Sequence, residues 1–187
     1  MKYSRVQNSP PADLSRRGFI SGLPFLLAAL PQATGSRDTA GLSRLSAGQS
    51  EAIERSTMAR DLANYFGKGY SCAESGLMTG LNYLEKPREL VWIACGFGGG
   101  ILHRDLCGFL TAGVMVLGLA AGEKDGDRRN LKKWCAGRVR DFWAWWQEQA
   151  PLRCSRIRSR TSSPQICRNL GLLSVARIQF LIESETE

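Results

Sequence analysis

The sequence predicts an all-α fold, a small helical bundle with a central apolar helix, and three observations carry that expectation. Ser71 and Glu74 form an S-x-x-E capping box, which makes Ser71 the N-cap and Cys72 the first helical residue. Ala73, Leu77, Leu81 and Leu84 then follow as one apolar stripe. The stretch from about Leu106 to Ala121 carries no charge and is apolar on every side, the pattern of a helix surrounded by others. Met58, Leu62, Tyr65 and Phe66, and later Val139, Phe142, Trp143 and Trp146, recur at helical spacing.

Taken in chain order, residues 1–35 read as a twin-arginine signal peptide. Ser15-Arg16-Arg17-Gly18-Phe19-Ile20 carries the arginine pair, and Gly18 to Leu30 is an uncharged stretch of signal-peptide length. Ala33, Thr34 and Gly35 offer a cleavage region. Pro24, Pro31 and Gln32 leave less than the roughly 20 apolar residues a comfortable membrane span requires, so cleavage and export to the periplasm are favoured over anchoring. Residues 36–49 lack periodicity and read as a linker, residues 50–182 as the helical domain, and residues 183–187 as a tail.

Within the domain, the helix carrying Met58 stops at Gly67 and Gly69, and the capped helix from Cys72 follows at once. Pro87 separates it from a segment over Arg88 to Cys95, after which Gly98-Gly99-Gly100 frees the backbone to turn sharply. Asp105 is the expected N-cap of the central apolar helix, placing Cys107 in its first turn. The charged turn Glu123 to Arg129 leads to a tryptophan-rich helix whose aromatic stripe reads as core packing rather than a cofactor platform. Leu170 to Ile182 closes the bundle.

Chemistry is concentrated in sulfur. The chain has 187 residues, 43% of them hydrophobic, with six cysteines and one histidine, so His-based zinc sites and haem ligation are disfavoured. No C-x-x-C-H occurs, which leaves no c-type haem motif. Cys72 and Cys107 each fall where a helix is expected to begin, and the positive end of a helix favours a thiolate, the form that attacks disulfides and binds soft metals. The alternative is that each is a small buried hydrophobe. Cys135 has no motif around it and is assigned to packing, and His103 to a polar loop. The net charge of +8 comes mainly from Arg153, Arg156, Arg158, Arg160, Arg168 and Arg177, with no Asp or Glu from Gln149 to Ile182. No aromatic residue interleaves these arginines, so no nucleic-acid partner is expected; an acidic partner protein remains open. The Gly98 triplet lacks the Lys-Ser/Thr of a phosphate loop, and paired carboxylates are absent, so no catalytic residue and no enzyme class is assigned.

The segments Gly69-Tyr70-Ser71-Cys72-Ala73 and Gly96-Phe97-Gly98-Gly99-Gly100, with Cys107-Gly108 opening an apolar helix and further cysteines beyond it, resemble the C-GCAxxG-C-C family of redox proteins. The likeness runs from about Met58 to Gly122 and weakens beyond Trp134. It departs from the family pattern at Leu102, at Phe109 and in the Arg-rich C-terminal region.

The resemblance implies a small helical protein, exported by the twin-arginine route. By analogy with the helical domain of split-Soret cytochromes, it also implies an iron–sulfur cluster. The ligand set it implies is Cys72, Cys107, Cys154 and Cys167, the last two following from family order and from local basic charge that favours thiolate. Cys95 is the rival to Cys154. Three functions stay open: a periplasmic electron-transfer protein with a cluster and a redox partner protein, a thiol–disulfide oxidoreductase, and a structural zinc or disulfide protein. A homodimer is compatible with each.

Overall fold

The computed structural model describes residues 42–159 and 164–184. The expected signal peptide with Arg16 and Arg17, residues 36–41 of the linker, Arg160 and the last three residues of the tail lie outside the described residues. Among those described there is no β-strand, and the all-α bundle stands.

The chain enters through α1 (Ala47–Arg55) and α2 (Thr57–Leu62). The first helix therefore begins inside the stretch read as linker. Ser46 and Gln49 close a capping box there, and Leu42 is buried, its carbonyl accepting from the Asn169 amide at 2.8 Å. The second helix is shorter than the spacing of Met58, Leu62, Tyr65 and Phe66 suggested, and Tyr65 and Phe66 lie in the turn beyond it.

Helix α3 (Cys72–Tyr83) carries the expected capping box. The Glu74 N–H donates to Ser71 Oγ at 3.3 Å, and the Ser71 N–H donates to Glu74 Oε2 at 2.8 Å. A 3-10 helix over Arg88–Phe97 and a π-turn over Gly100–Arg104 then lead to α4 (Gly108–Gly122).

Helix α4 is the centre of the bundle, packed against α3, α5 (Arg128–Gln149) and α7 (Pro164–Glu183). Small residues set these distances. A Cβ on Gly80 of α3 would stand 2.2 Å from Val116, one on Gly113 of α4 2.3 Å from Phe142, and one on Gly171 of α7 2.5 Å from Phe109. Each helix pair meets backbone to side chain, and the large rings of Phe109, Phe142 and Trp146 fill the space so defined. The aromatic stripe of α5 differs from expectation at one position. Phe142 and Trp146 are buried, whereas Trp143 is on the exposed side, and Trp145 stacks on Phe142 at 5.7 Å instead. A single-turn helix, α6 (Cys154–Ile157), joins α5 to α7. No helix among the described residues is long and apolar enough to cross a membrane.

Candidate functional site

Four cysteines gather at the end of the bundle where α3 and α4 begin. The first is Cys72 at the start of α3. Gly108, the first residue of α4, lies directly against it, and a Cβ there would stand 2.5 Å from Cys72 Sγ. The absence of a side chain at Gly108 is thus what lets the two helix starts meet. This is the physical content of the Cys-Gly pair.

Cys107 precedes Gly108 and is itself the N-cap of α4, which corrects the assignment of that role to Asp105. Asp105 instead belongs to a short antiparallel bridge that pairs Leu106 with Arg153. In it the Cys107 N–H donates to the Leu152 carbonyl at 2.9 Å, and the Cys154 N–H donates to the Asp105 carbonyl at 2.6 Å. Arg153 adds an ion pair to Asp105 at 3.2 Å. Two cysteines 47 positions apart in the numbering are thereby set on adjoining backbone, and Gly100 seals the arrangement: its Cβ would stand 2.7 Å from that of Cys154. Cys167, in the first turn of α7, completes the group.

Electrostatics ties the four together. The Cys107 thiol is coupled to Cys72 and Cys154, the Cys154 thiol to Cys72, and the Cys167 thiol to Cys154 and Cys72. Cys95 is exposed on the 3-10 helix and Cys135 half-buried on α5. His103 is exposed on the π-turn. All six cysteines are free thiols, and among the described residues no three His, Cys, Asp or Glu side chains converge closely enough to grip a single ion.

The expectation of a poised thiolate at Cys107 is overturned. Burial pushes this thiol well above its ordinary range, and the neighbouring Cys72 adds to the rise. The Phe109 and Leu110 amides point toward its sulfur and favour the thiolate, without making a capping hydrogen bond, and they do not offset the loss of water. Being at a helix start is a weaker influence than being 5% exposed. Cys154 and Cys167 are also raised, burial first in both. The basic segment acts here in the expected direction: Arg158 pulls both thiols down, and Arg104 pulls Cys154 down. Arg104 is anchored for this by donating to the Arg158 carbonyl at 2.6 Å.

Sequence reasoning did not find the backbone bridge between 105–107 and 152–154, nor the role of Gly108 and Gly100 as spacers. The glycines were visible as residues, but what they accommodate is set by segments distant in sequence. Nor did it find that the π-turn holds Ile101 and Leu102 at φ 53° and 58°, in the left-handed region that large side chains avoid. Both are exposed, Leu102 at 73%. With Trp92 at 72% and Ile93 at 53% on the 3-10 helix, they leave large apolar side chains in water on the segment that caps the cysteine end.

No curated protein and no solved structure matches this chain. A family model described as "Putative redox-active protein (C_GCAxxG_C_C)" does, over residues 70–178, a span that takes in all six cysteines and every helix from α3 to α6 with most of α7. By that match over more than half of its length, and with a redox role following from it, the chain belongs to the C_GCAxxG_C_C family.

Proposed function

We propose that the protein is an exported electron-transfer protein in which Cys72, Cys107, Cys154 and Cys167 hold an iron–sulfur cluster. The observation that carries this reading is geometric: the Gly108 contact sets Cys72 against the start of α4, the backbone bridge sets Cys154 beside Cys107, and Cys167 lies within electrostatic reach of Cys72 and Cys154 at the same end of the bundle. The donor set suits the group: it is all sulfur, its members come from four separate segments fixed by the fold, and guanidinium charge from Arg158 and Arg104 favours the thiolates that ligation needs. A bound cluster supplies a one-electron couple. The chain's own part is to keep Cys107 from water, to set Cys154 beside it through the bridge, and to hold the Cys72 sulfur against Gly108. The exposed Trp92, Ile93 and Leu102 offer a redox partner an apolar landing surface beside charges of both signs, Arg88 with Glu89 and Arg104 with Asp105. The arginine pair Arg16-Arg17 supports export by the twin-arginine route.

A second reading is favoured by one contact, that of Cys72 with the start of α4. If Cys72 and Cys107 formed a disulfide, two protons and two electrons would pass to a partner disulfide, which would leave as two thiols. The raised Cys107 thiol argues against it as an attacking group.

Protein purified without oxygen tests both readings. Iron and sulfide per chain, with visible absorption, are expected in the wild type, lost in Cys72→Ala, Cys107→Ala, Cys154→Ala and Cys167→Ala, and kept in Cys95→Ala and Cys135→Ala. Iron indifferent to Cys107→Ala overturns the cluster reading. A colourless protein that cycles between two free thiols and one Cys72–Cys107 disulfide establishes the other.

A further inference from the structure

Away from the cysteines, α1, α5 and α7 line a groove of about 1150 Å³. Its walls are mixed, with Leu42, Leu45, Trp145 and Leu173 forming apolar stretches between polar side chains. Most of its polar groups are already used. Gln179 Oε1 accepts from Ser56 Oγ, Thr57 Oγ1 and the Met58 N–H at 2.8, 3.2 and 3.1 Å, and its amide donates to Glu183. Glu183 also accepts from the Tyr83 hydroxyl, and the Gln49 amide donates to Gln149.

Arg177 is the exception. It lines the groove half-buried, its Nε is shielded from solvent, and it finds no hydrogen-bond acceptor among the described residues. Its guanidinium lies over the Phe180 ring at 4.9 Å. Asp141 and Glu148 are within electrostatic reach without accepting from it, and Arg138 repels it. Shielding the Nε of a guanidinium from water without an acceptor is unfavourable, and an anion placed beside it supplies what is missing. Arg44 and Arg55 also line the groove, Arg55 ion-paired with Glu51 on α1, while of the two lining carboxylates Glu183 is already engaged.

We propose that this groove binds a single-chain anionic amphiphile, a long-chain carboxylate taken up as a monomer, with its head on Arg177 and its alkyl chain along Leu42, Leu45, Leu173 and Trp145. The groove exceeds the usual range of about 300–1,000 Å³ for small-molecule pockets, and an extended chain uses that volume better than a compact ligand does. The site is independent of the cysteines.

The test uses the full chain and dodecanoate below its micelle concentration, read by calorimetry and by quenching of tryptophan emission with a brominated acyl chain. One-to-one binding is expected. Arg177→Gln should weaken dodecanoate at least tenfold while leaving uncharged dodecanol within twofold, a split that loss of structure would not produce. Ala52→Trp, on the exposed face of α1 lining the groove, should weaken both ligands. Arg44→Gln, at an exposed position, serves as a second charge variant and should weaken dodecanoate alone, about threefold. Iron content should be unchanged in all three. Absence of dodecanoate binding, or binding indifferent to both Arg177→Gln and Arg44→Gln, overturns the proposal. So does binding to anionic phospholipid vesicles without binding of monomeric dodecanoate, which would assign the charge to a membrane surface.

Discussion

Replacing Gly108 with Ala tests whether the contact between the two helix starts governs the site. The new Cβ would stand 2.5 Å from Cys72 Sγ, 3.0 Å from the Ala73 nitrogen and 3.0 Å from the Phe97 carbonyl oxygen. Ordinary carbon contacts are about 3.5–4.0 Å, so the sulfur must retreat by roughly 1 Å and two backbone groups by about half as much. The sulfur can rotate away, but the backbone atoms belong to the first turn of α3 and the end of the 3-10 helix and give less easily. Overpacking of this kind costs about 1–3 kcal/mol. Alanine recovers at most about 1 kcal/mol through helix propensity, and less at a first-turn position. The net loss is therefore about 0–2 kcal/mol, a fall in melting temperature of no more than about 8 °C for a domain of this size. Displacement of Cys72 from its three partner thiols should have the larger consequence, with bound iron falling well below half of the wild-type ratio. Gly113→Ala is the control. Its Cβ would meet Phe142 at 2.3 Å in the middle of the same helix, so it should destabilise as much or more and keep its iron. Melting curves and iron analysis on both proteins decide the matter. Full iron in Gly108→Ala, or equal iron loss in both, refutes the reasoning.

Timed alkylation at neutral pH, followed by mass spectrometry without metal, should label exposed Cys95 first and Cys107 last, because the buried thiol is both shielded and raised; rapid labelling of Cys107 would show that its environment is open. Ser71→Ala removes the reciprocal cap of α3 and should cost about 1 kcal/mol by denaturant unfolding, with no change expected in the unfolding slope. Tyr83 donates to Glu183 and its hydroxyl is pushed up to about 12, burial first and then the hydrogen bond and charge of Glu183. Because the folded value lies above the unfolded value of 10.0, the stabilisation is whole below pH 10 and is lost as pH rises through about 12. The gap in melting temperature between wild type and Tyr83→Phe should accordingly narrow over that interval, and a gap that widens would reverse the sign.

What the sequence made legible follows the range of the interactions concerned. The cap at Ser71 and Glu74 is closed by residues three apart, so it was readable as a motif and is formed as read. The burial of α4 follows from an uncharged stretch that no other arrangement would keep from water. Asp105 failed as a cap because the backbone of 105–107 pairs with that of 152–154, far along the chain, so that α4 begins only after Cys107. Trp143 failed as a core residue because the face of α5 turned inward is chosen by Gly113 and Ile178 around Phe142, which no spacing within α5 records.

The same distinction explains why the Cys107 thiol was misjudged. A helix start is a local feature, and its field on Cys107 was anticipated in the right direction; the Phe109 and Leu110 amides do favour the thiolate. Burial is a property of everything that packs around the position, here the backbone at Leu152, the glycine at 108 and the start of α3. With the sulfur so enclosed, the loss of hydration outweighs two oriented amides, since a helix end contributes at most about 2 kcal/mol whereas full burial can move a pKa by up to about 3–5 units, each worth about 1.4 kcal/mol. A neutral thiol held out of water beside a second sulfur is poorly suited to free nucleophilic attack. The same rise bears on ligation, because a metal bound there must displace the proton first, and the Arg158 and Arg104 charges that favour thiolate at the neighbouring cysteines work against that cost.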